Sequence, residues 1–353
     1  MLNYFELGGI MSFNINNRRY TGSKYKIRNW IKKIIKNECE NSNSFCDLFA
    51  GTGIITYTMI NDYDKFIIND LLFSNQIIYN AFFGKEDYDE EKIIMTSLRY
   101  KNIKLQDIID NYVSINFGDK FFTMNDAKLI GYIRDDIEIN KKNLNKREYD
   151  ILLASLLYSL DKCANTVGHY ESYCKKNNIK SNFRYELVNP VIKSSHDPRQ
   201  ICIYREDANI LARKIECDVV YIDPPYSSRQ YSRFYHVLEP IVKWDKPTLY
   251  GTALKPIPEN MSEYCRSKAL DFFKELVFEL KCKYIVVSYN NTYNSKSKSS
   301  ENKMKLDDML ETLSRIGKTK IYSIDHQAFN AGKTNITDHK EILFITKVGT
   351  LNE

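Results

Sequence analysis

The stretch VVYIDPPYSSRQY, residues 219–231, ends an apolar run in a carboxylate, two prolines and a tyrosine. Residues 219–222 read as a buried strand. Pro224 and Pro225 cannot extend a central strand, so they stop it sharply. They also stiffen the turn and leave the carbonyls of Asp223 and Pro224 without local amide donors. A carboxylate and a carbonyl facing one point at a sheet's carboxyl edge form an acceptor pair. Beside Tyr226, a ring able to stack, such a pair suits the exocyclic amino group of a flat base. By accepting both amino hydrogens it draws the nitrogen lone pair out of conjugation and aims it at an electrophile. Asp223, Pro224, Pro225 and Tyr226 are the expected catalytic residues.

A second constellation lies upstream. DLFAGTG, residues 47–53, follows a short apolar run and opens a helix. Gly51 and Gly53 permit the positive φ and close backbone approach that a ligand-binding turn needs. Asp70 ends the next strand, 19 residues beyond Gly51, a spacing that suits an acid on ribose hydroxyls. The third glycine of a dinucleotide fingerprint is missing, since residue 56 is threonine. A pyrophosphate is thereby disfavoured against a ligand with a small anionic end. Asp207, after the run at 201–204, has two readings: a contact to an adenine amino group, or a helix N-cap. An adenosine cofactor beside an activated aryl amine implies methyl transfer from S-adenosyl-L-methionine, a reaction of alignment and electrostatics that needs no metal.

These residues must be held by a scaffold. Ile27, Trp30, Ile31, Ile34 and Ile35 recur at helical spacing in 24–37. Runs at 65–70, 201–204, 218–222, 283–290, 320–324 and 341–348 read as strands. Residues 262–281 read as a helix with Leu270, Phe273, Leu276, Val277 and Leu280 on one side, and 306–317 as a helix closed by Gly317. Alternation of strands and helices predicts an α/β fold with a doubly wound, Rossmann-like sheet. The texture changes over 72–195, where helices are expected at 90–99 and 147–163 and β-alternation is scarce. The expected organisation is a catalytic domain of 18–71 and 196–353, a helical insertion of 72–195, and a poorly ordered leader of 1–17. Residues 294–303 read as a flexible surface loop.

In chain order, YTGSK (20–24), DLFAGTG, Asp70, Asp207 and DPPY (223–226) resemble the D12-class, or α-group, DNA adenine-N6 methyltransferases, which include restriction–modification methylases and the Dam methylase. TVGHYESY (166–173) and SSRQYSRFYHVLE (227–239) are similar to segments of modification methylases in that group. The resemblance covers about 20–71 and 196–347. It implies an S-adenosylmethionine-dependent methyltransferase sheet with an inserted target-recognition domain, and a flipped-out adenine in a specific duplex DNA sequence as substrate. It implies that Lys24 meets the cofactor carboxylate and that Tyr20 lines the methionine pocket. Asp47, Phe49, Gly51 and Gly53 would form the cofactor turn, with Asp70 on the ribose and Asp207 on the adenine. Two positions depart from the pattern: Ser23 stands where Dam-like proteins have glycine, and Ala208 where some members have an aromatic.

A base inside a duplex cannot reach such a loop, so the nucleotide must leave the stack at a cost of a few kcal/mol. Phosphate contacts have to offset that cost. The basic runs 141–147 and 175–184 make Lys141, Lys142, Arg147, Lys175, Lys176 and Arg184 the expected DNA-binding residues, joined by Arg229, Gln230 and Tyr231 after the catalytic loop; Arg233 lies nearby. Asn165, Asn182, Arg184 and Gln230 have the chemistry for base edges. His169 reads as structural or DNA-contacting and His236 as a helix-face residue, because a neutral amine attacks the sulfonium without a strong base.

The totals are compatible. With 43% hydrophobic residues the chain can build a core, and its formal charge of +6 suits a polyanion. The eight cysteines form no C-x-x-C pair, which disfavours zinc, and Cys202, Cys217 and Cys282 read as reduced core residues. No apolar run reaches the roughly 18 residues of a membrane helix, and the opening segment lacks the marks of a secretion signal. A cytoplasmic enzyme is expected, with double-stranded DNA and a cognate restriction endonuclease as partners. The competing readings are an RNA adenine-N6 or protein-amide methyltransferase and a catalytically inactive DNA-binding subunit. Asp223 at the head of the loop favours adenine, because amide-methylating relatives carry asparagine there and N4-cytosine relatives serine. The intact turn and loop argue against an inactive subunit.

Overall fold

The computed structural model describes residues 11–175, 181–293, 301–325 and 339–349. Nine strands occur among the described residues: β1 (Met11–Phe13), β2 (Ser44–Asp47), β3 (Lys65–Asn69), β4 (Leu187–Val188), β5 (Gln200–Tyr204), β6 (Val219–Ile222), β7 (Tyr284–Asn290), β8 (Gly317–Asp325) and β9 (Lys340–Val348). The chain forms two compact units. One contains the described residues up to Thr21 with Leu72–Asp197 and Ser232–Glu259. The other contains Gly22–Leu71, Pro198–Tyr231 and the described residues from Asn260 onward.

The second unit is built on a seven-stranded sheet of order β5-β3-β2-β6-β7-β9-β8. The first five strands are parallel, and β9 runs antiparallel to both its neighbours, β7 and the edge strand β8. This is the expected doubly wound, Rossmann-like sheet. Helices cover it, so the central strands are apolar on both faces: every residue of β6 is buried, and six of the seven in β7. Val220, Ile222, Ile285 and Val287 pack against Phe273 and Leu276 of the helix Ala269–Glu279. Each such side chain contributes about 1.5–3 kcal/mol by leaving water. Phe45 and Tyr221 stack with centroids 6.4 Å apart. Ile31, Ile34 and Ile35 are the buried stripe of the helix Arg28–Glu38.

Two expectations for this unit need correction. Gly317 does not cap a helix: the helix Leu306–Ser314 ends earlier and Gly317 starts β8. A Cβ there would lie 2.0 Å from the carbonyl oxygen of Lys347, so close strand approach is what requires glycine. Cys202 is exposed, because β5 is an edge strand, whereas Cys217 is buried and Cys282 half-buried.

The first unit is mainly helical, with Phe73–Phe83, Glu90–Lys101, Tyr112–Phe117, Met124–Ile139 and Lys146–Cys163 as its helices in the insertion. Four of these five starts have a side-chain cap: Asp89, Asn111, Thr123 and Asn145 each accept a first-turn amide. The helix Lys146–Cys163 is buried almost all round. Arg134, fully buried, donates to the carbonyls of Ile241 and Val242 and so ties Ser232–Glu259 into this unit, a segment that local patterning assigned to the catalytic half. The expected leader is ordered from residue 11: β1 pairs in parallel with β4, and Ile15 is buried. Residues 1–10 of that leader, and 294–300 of the expected loop, lie outside the described residues. No helix among the described residues is long and apolar enough to cross a membrane.

Candidate active site

In a doubly wound sheet the loops after two neighbouring strands diverge where the chain reverses its winding, and a crevice opens at their carboxyl ends. Here that point lies between β2 and β6. The chain steps from β2 outward to β3 on one side, while β6 adds on the other. Asp47 sits in register with Tyr221, and the Leu48 amide donates to the Tyr221 carbonyl. The glycine turn after β2 and the DPPY loop after β6 therefore start side by side within one unit.

The loop carries a compact charged cluster. Lys24 Nζ lies 2.9 Å from Asp223 Oδ2 and 4.0 Å from Glu341 Oε2. It also reaches the Gly22 carbonyl at 3.4 Å and sits 4.9 Å over the Tyr226 ring. Lys24 and Glu341 are buried and Asp223 is largely so. Burial acts to lower the Lys24 pKa, but Asp223 and Glu341 outweigh it and hold the ammonium above its usual range. The Tyr226 hydroxyl donates to Asp223 Oδ1 at 2.6 Å, so both carboxylate oxygens are oriented. The loop behind is fixed as well: the Lys303 amide and the Tyr289 hydroxyl donate to the Tyr226 carbonyl at 2.7 and 3.2 Å. Tyr226 is partly buried, its ring 4.5 Å from that of Tyr289.

Glu341 was not singled out from the sequence. It precedes the apolar run of β9 and looks like a solvated strand end. Because β9 is antiparallel to β7, its first residues lie at the carboxyl edge of the parallel strands: Glu341 is in register with Asn290, the last residue of β7. Desolvation pushes its carboxyl up to about 7, with Lys24 opposing the shift and Asp223 adding to it.

The glycine turn has Gly51 at φ 52° and Gly53 at φ 73°, the conformations that require glycine. Its amides are largely used internally. The Gly51 N–H donates to Asp70 Oδ2 at 3.0 Å, that of Gly53 to the Ala50 carbonyl, and that of Thr56 to Asp47 Oδ2. Such a turn can accept a nucleoside by shape better than it can cradle phosphates, and this fits the missing third glycine. Asn69 ties three strand ends together through Leu48 and Glu206. Phe49 packs edge-on to Tyr264. Asp207 caps the short helix Ala208–Ala212 through the amides of Asn209 and Ile210.

Asp47 is the buried anchor of the turn. Burial lifts its carboxyl to about 7 against two hydrogen bonds from Thr56, 2.8 Å from the hydroxyl and 3.1 Å from the amide. The hydroxyl stabilises the ionised form, which is populated above about pH 7. Thr56→Val should therefore cost about 1–2 kcal/mol at pH 8 and less at pH 6. Denaturant unfolding at the two pH values measures this; an equal loss at both would remove Asp47 ionisation from the account.

Tyr20 belongs to the other unit, where it stacks on Tyr235 at 4.7 Å with Arg18 5.2 Å from its ring. Lys141, Lys142, Lys175 and Arg184 are exposed, and Lys176 lies outside the described residues. Arg147 is a correction: it is 2% exposed and donates to the Ile192 carbonyl, because it lies in the first turn of a helix that is covered almost all round. That burial leaves it no route to a phosphate. Gln230 is also buried, both ends of its amide bonded to the Ser262 backbone. Asn165 is spent on the carbonyls of Lys120 and Cys174. Arg229 and Tyr231 are partly buried in the second unit, while the Asn182 amide donates to Asp126. His169 stacks on Phe234, and His236 is buried between the carbonyls of Arg233 and Ala253 rather than lying on an open helix face.

Residues 20–293 match the family model of the D12 class N6 adenine-specific DNA methyltransferases. The chain is 30% identical over 335 residues to the type II methyltransferase M.NlaIII of Neisseria lactamica, covering 91% of this chain and 95% of that one. It is 30% identical over 344 residues to M.CviAII of Paramecium bursaria Chlorella virus 1, covering 95% and 99%. With the type II methyltransferase M.FokI of Planomicrobium okeanokoites it shares 31% over 290 residues, 77% of this chain and 44% of that one. The match spans the glycine turn, the helical insertion and the DPPY loop, and the chain belongs to the D12 class of N6 adenine-specific DNA methyltransferases.

Proposed function

We propose that the chain transfers a methyl group from S-adenosyl-L-methionine to the N6 amino group of an adenine turned out of a specific duplex DNA sequence. The observation that carries this is the oriented carboxylate of Asp223 at the switch point, beside the glycine turn and Asp70. Asp223 and the Pro224 carbonyl accept the two amino hydrogens, and the Tyr226 ring gives the flat base a partner for stacking. Hydrogen bonding to both hydrogens concentrates the lone pair on nitrogen and directs it in line with the donor. Pro225 keeps the loop from relaxing away. The sulfonium, when bound, supplies an activated methyl group and needs no metal.

The turn residues Phe49, Gly51 and Gly53 surround the nucleoside, Asp70 takes the ribose hydroxyls, and Asp207 receives the adenine amino group from its cap position. Asp47 holds the turn from behind. Lys24 supplies the cation for the cofactor carboxylate. The exposed Lys141, Lys142, Lys175 and Arg184 meet phosphates, which makes affinity strongly salt-dependent. A cognate endonuclease is the partner a modification enzyme implies.

The test is incubation with methyl-labelled S-adenosylmethionine and duplex DNA, RNA or protein. Label is expected in DNA alone, as N6-methyladenine at one sequence context, which long-read sequencing of DNA from expressing cells reads directly. Label confined to RNA or protein would overturn the proposal.

A further inference from the structure

We infer that Glu341 is a positioning residue of this centre, taking up, through Lys24 and Asp223, the proton that the methylated amine must lose. The inference rests on the reading above. Glu341 is 6% exposed, and among the described residues its Oε2 has no hydrogen-bond partner. The groups that face it are Lys24, Asp223 and Tyr226, with Tyr221 on β6 and Asn290 on β7. Among them Lys24 is the one cation, set between two carboxylates, and a buried cluster with surplus charge of one sign is costly. Two carboxyls around one ammonium resolve that cost by holding one extra proton.

The charge balance of methyl transfer fits this cluster. The reaction breaks the sulfonium S–CH3 bond, whose electron pair stays on sulfur, and forms an N–CH3 bond from the nitrogen lone pair. The sulfonium loses its positive charge and the amine gains it. The N–H then gives its proton to Asp223. Lys24 Nζ, 2.9 Å from Asp223 and 4.0 Å from Glu341, then passes a proton to Glu341 and takes the Asp223 proton in its place. The neutral methylated base leaves, and the cluster has gained a proton where the neighbouring sulfonium lost a charge. Burial keeps Glu341 near neutrality in its titration, so it can be ionised before transfer and protonated after it.

Glu341→Gln tests this with two readouts. The single-turnover methylation rate at pH 7 should fall about tenfold and its pH profile should flatten, with Glu341→Asp recovering part of both. In wild type, calorimetry in buffers of different ionisation enthalpy should show more proton uptake with S-adenosylhomocysteine than with S-adenosylmethionine; the glutamine variant should show no such difference. Equal proton uptake with both ligands in wild type, or a wild-type pH profile in the glutamine variant, would overturn the role. The wild-type calorimetry stands even if the variant does not fold. Failure of wild type to bind either ligand would instead count against the cofactor reading itself.

Discussion

Asp223→Ala should lower methyl transfer by about 10²–10³-fold while cofactor affinity stays within a fewfold of wild type. The carboxylate, the acceptor in the proposed function, is gripped at one oxygen by Lys24 and at the other by the Tyr226 hydroxyl. Removing a preorganised group of this kind costs several kcal/mol of transition-state stabilisation. The fold should tolerate the change, because Lys24 keeps Glu341 as a counter-ion. Asp223→Asn separates geometry from charge: it keeps an oxygen for the amine, surrenders the ion pair, and should fall between alanine and wild type. Single-turnover rates and calorimetric cofactor titration on the same preparations decide the matter. Undiminished turnover in the alanine variant would end the assignment.

Lys24→Met should have the largest effect on stability. Without the ammonium, Asp223 and Glu341 face each other in a largely dry site, and breaking a buried pair by removing one partner costs about 3–5 kcal/mol. The loss should depend on pH with a definite sign. Burial already holds the Glu341 carboxyl near 7, above its unfolded value, so its contribution is fully present below the unfolded value and is lost as pH rises through about 7. Deleting Lys24 removes an effect that opposes that rise, which lifts the carboxyl further. The variant should therefore be closest to wild type near pH 5 and farthest from it near pH 8. Denaturant unfolding at these pH values measures it, and a loss independent of pH would show that the pair is not electrostatically coupled. Cofactor affinity should weaken in the same variant.

Lys24 thus has a structural duty next to the one implied by family resemblance. Its ammonium is anchored to Asp223 at 2.9 Å, so under the proposed function a cofactor carboxylate would join an existing ion pair. The lysine in YTGSK and the acid in DPPY are tied together in space, although about two hundred residues separate them in the chain.

Much of the scaffold was legible because its signals are local. A run such as VVYI that is apolar on both faces marks a parallel central strand, prolines end it, and glycines at positive φ mark the turn after β2. The helix Ala269–Glu279 shows its buried side by spacing alone. Where local signals failed, packing had decided. Arg147 and Gln230 are polar residues in polar-looking stretches, yet both are buried, because the elements covering them come from distant parts of the chain. The leader reads as loose, yet residues 11–13 find a partner strand at 187–188.

Taken alone, the sequence determined the residue types of the centre: an acid, two prolines and a tyrosine after one strand, two glycines after another, and a lysine ahead of both. Those depend on short-range backbone sterics and hydrophobic period, which any reader of the chain can follow. Tertiary structure alone decided that Glu341 joins them. An antiparallel strand at the far side of the sheet brings its first residues to the edge where the parallel strands end, and no local pattern records the direction in which a strand will be inserted.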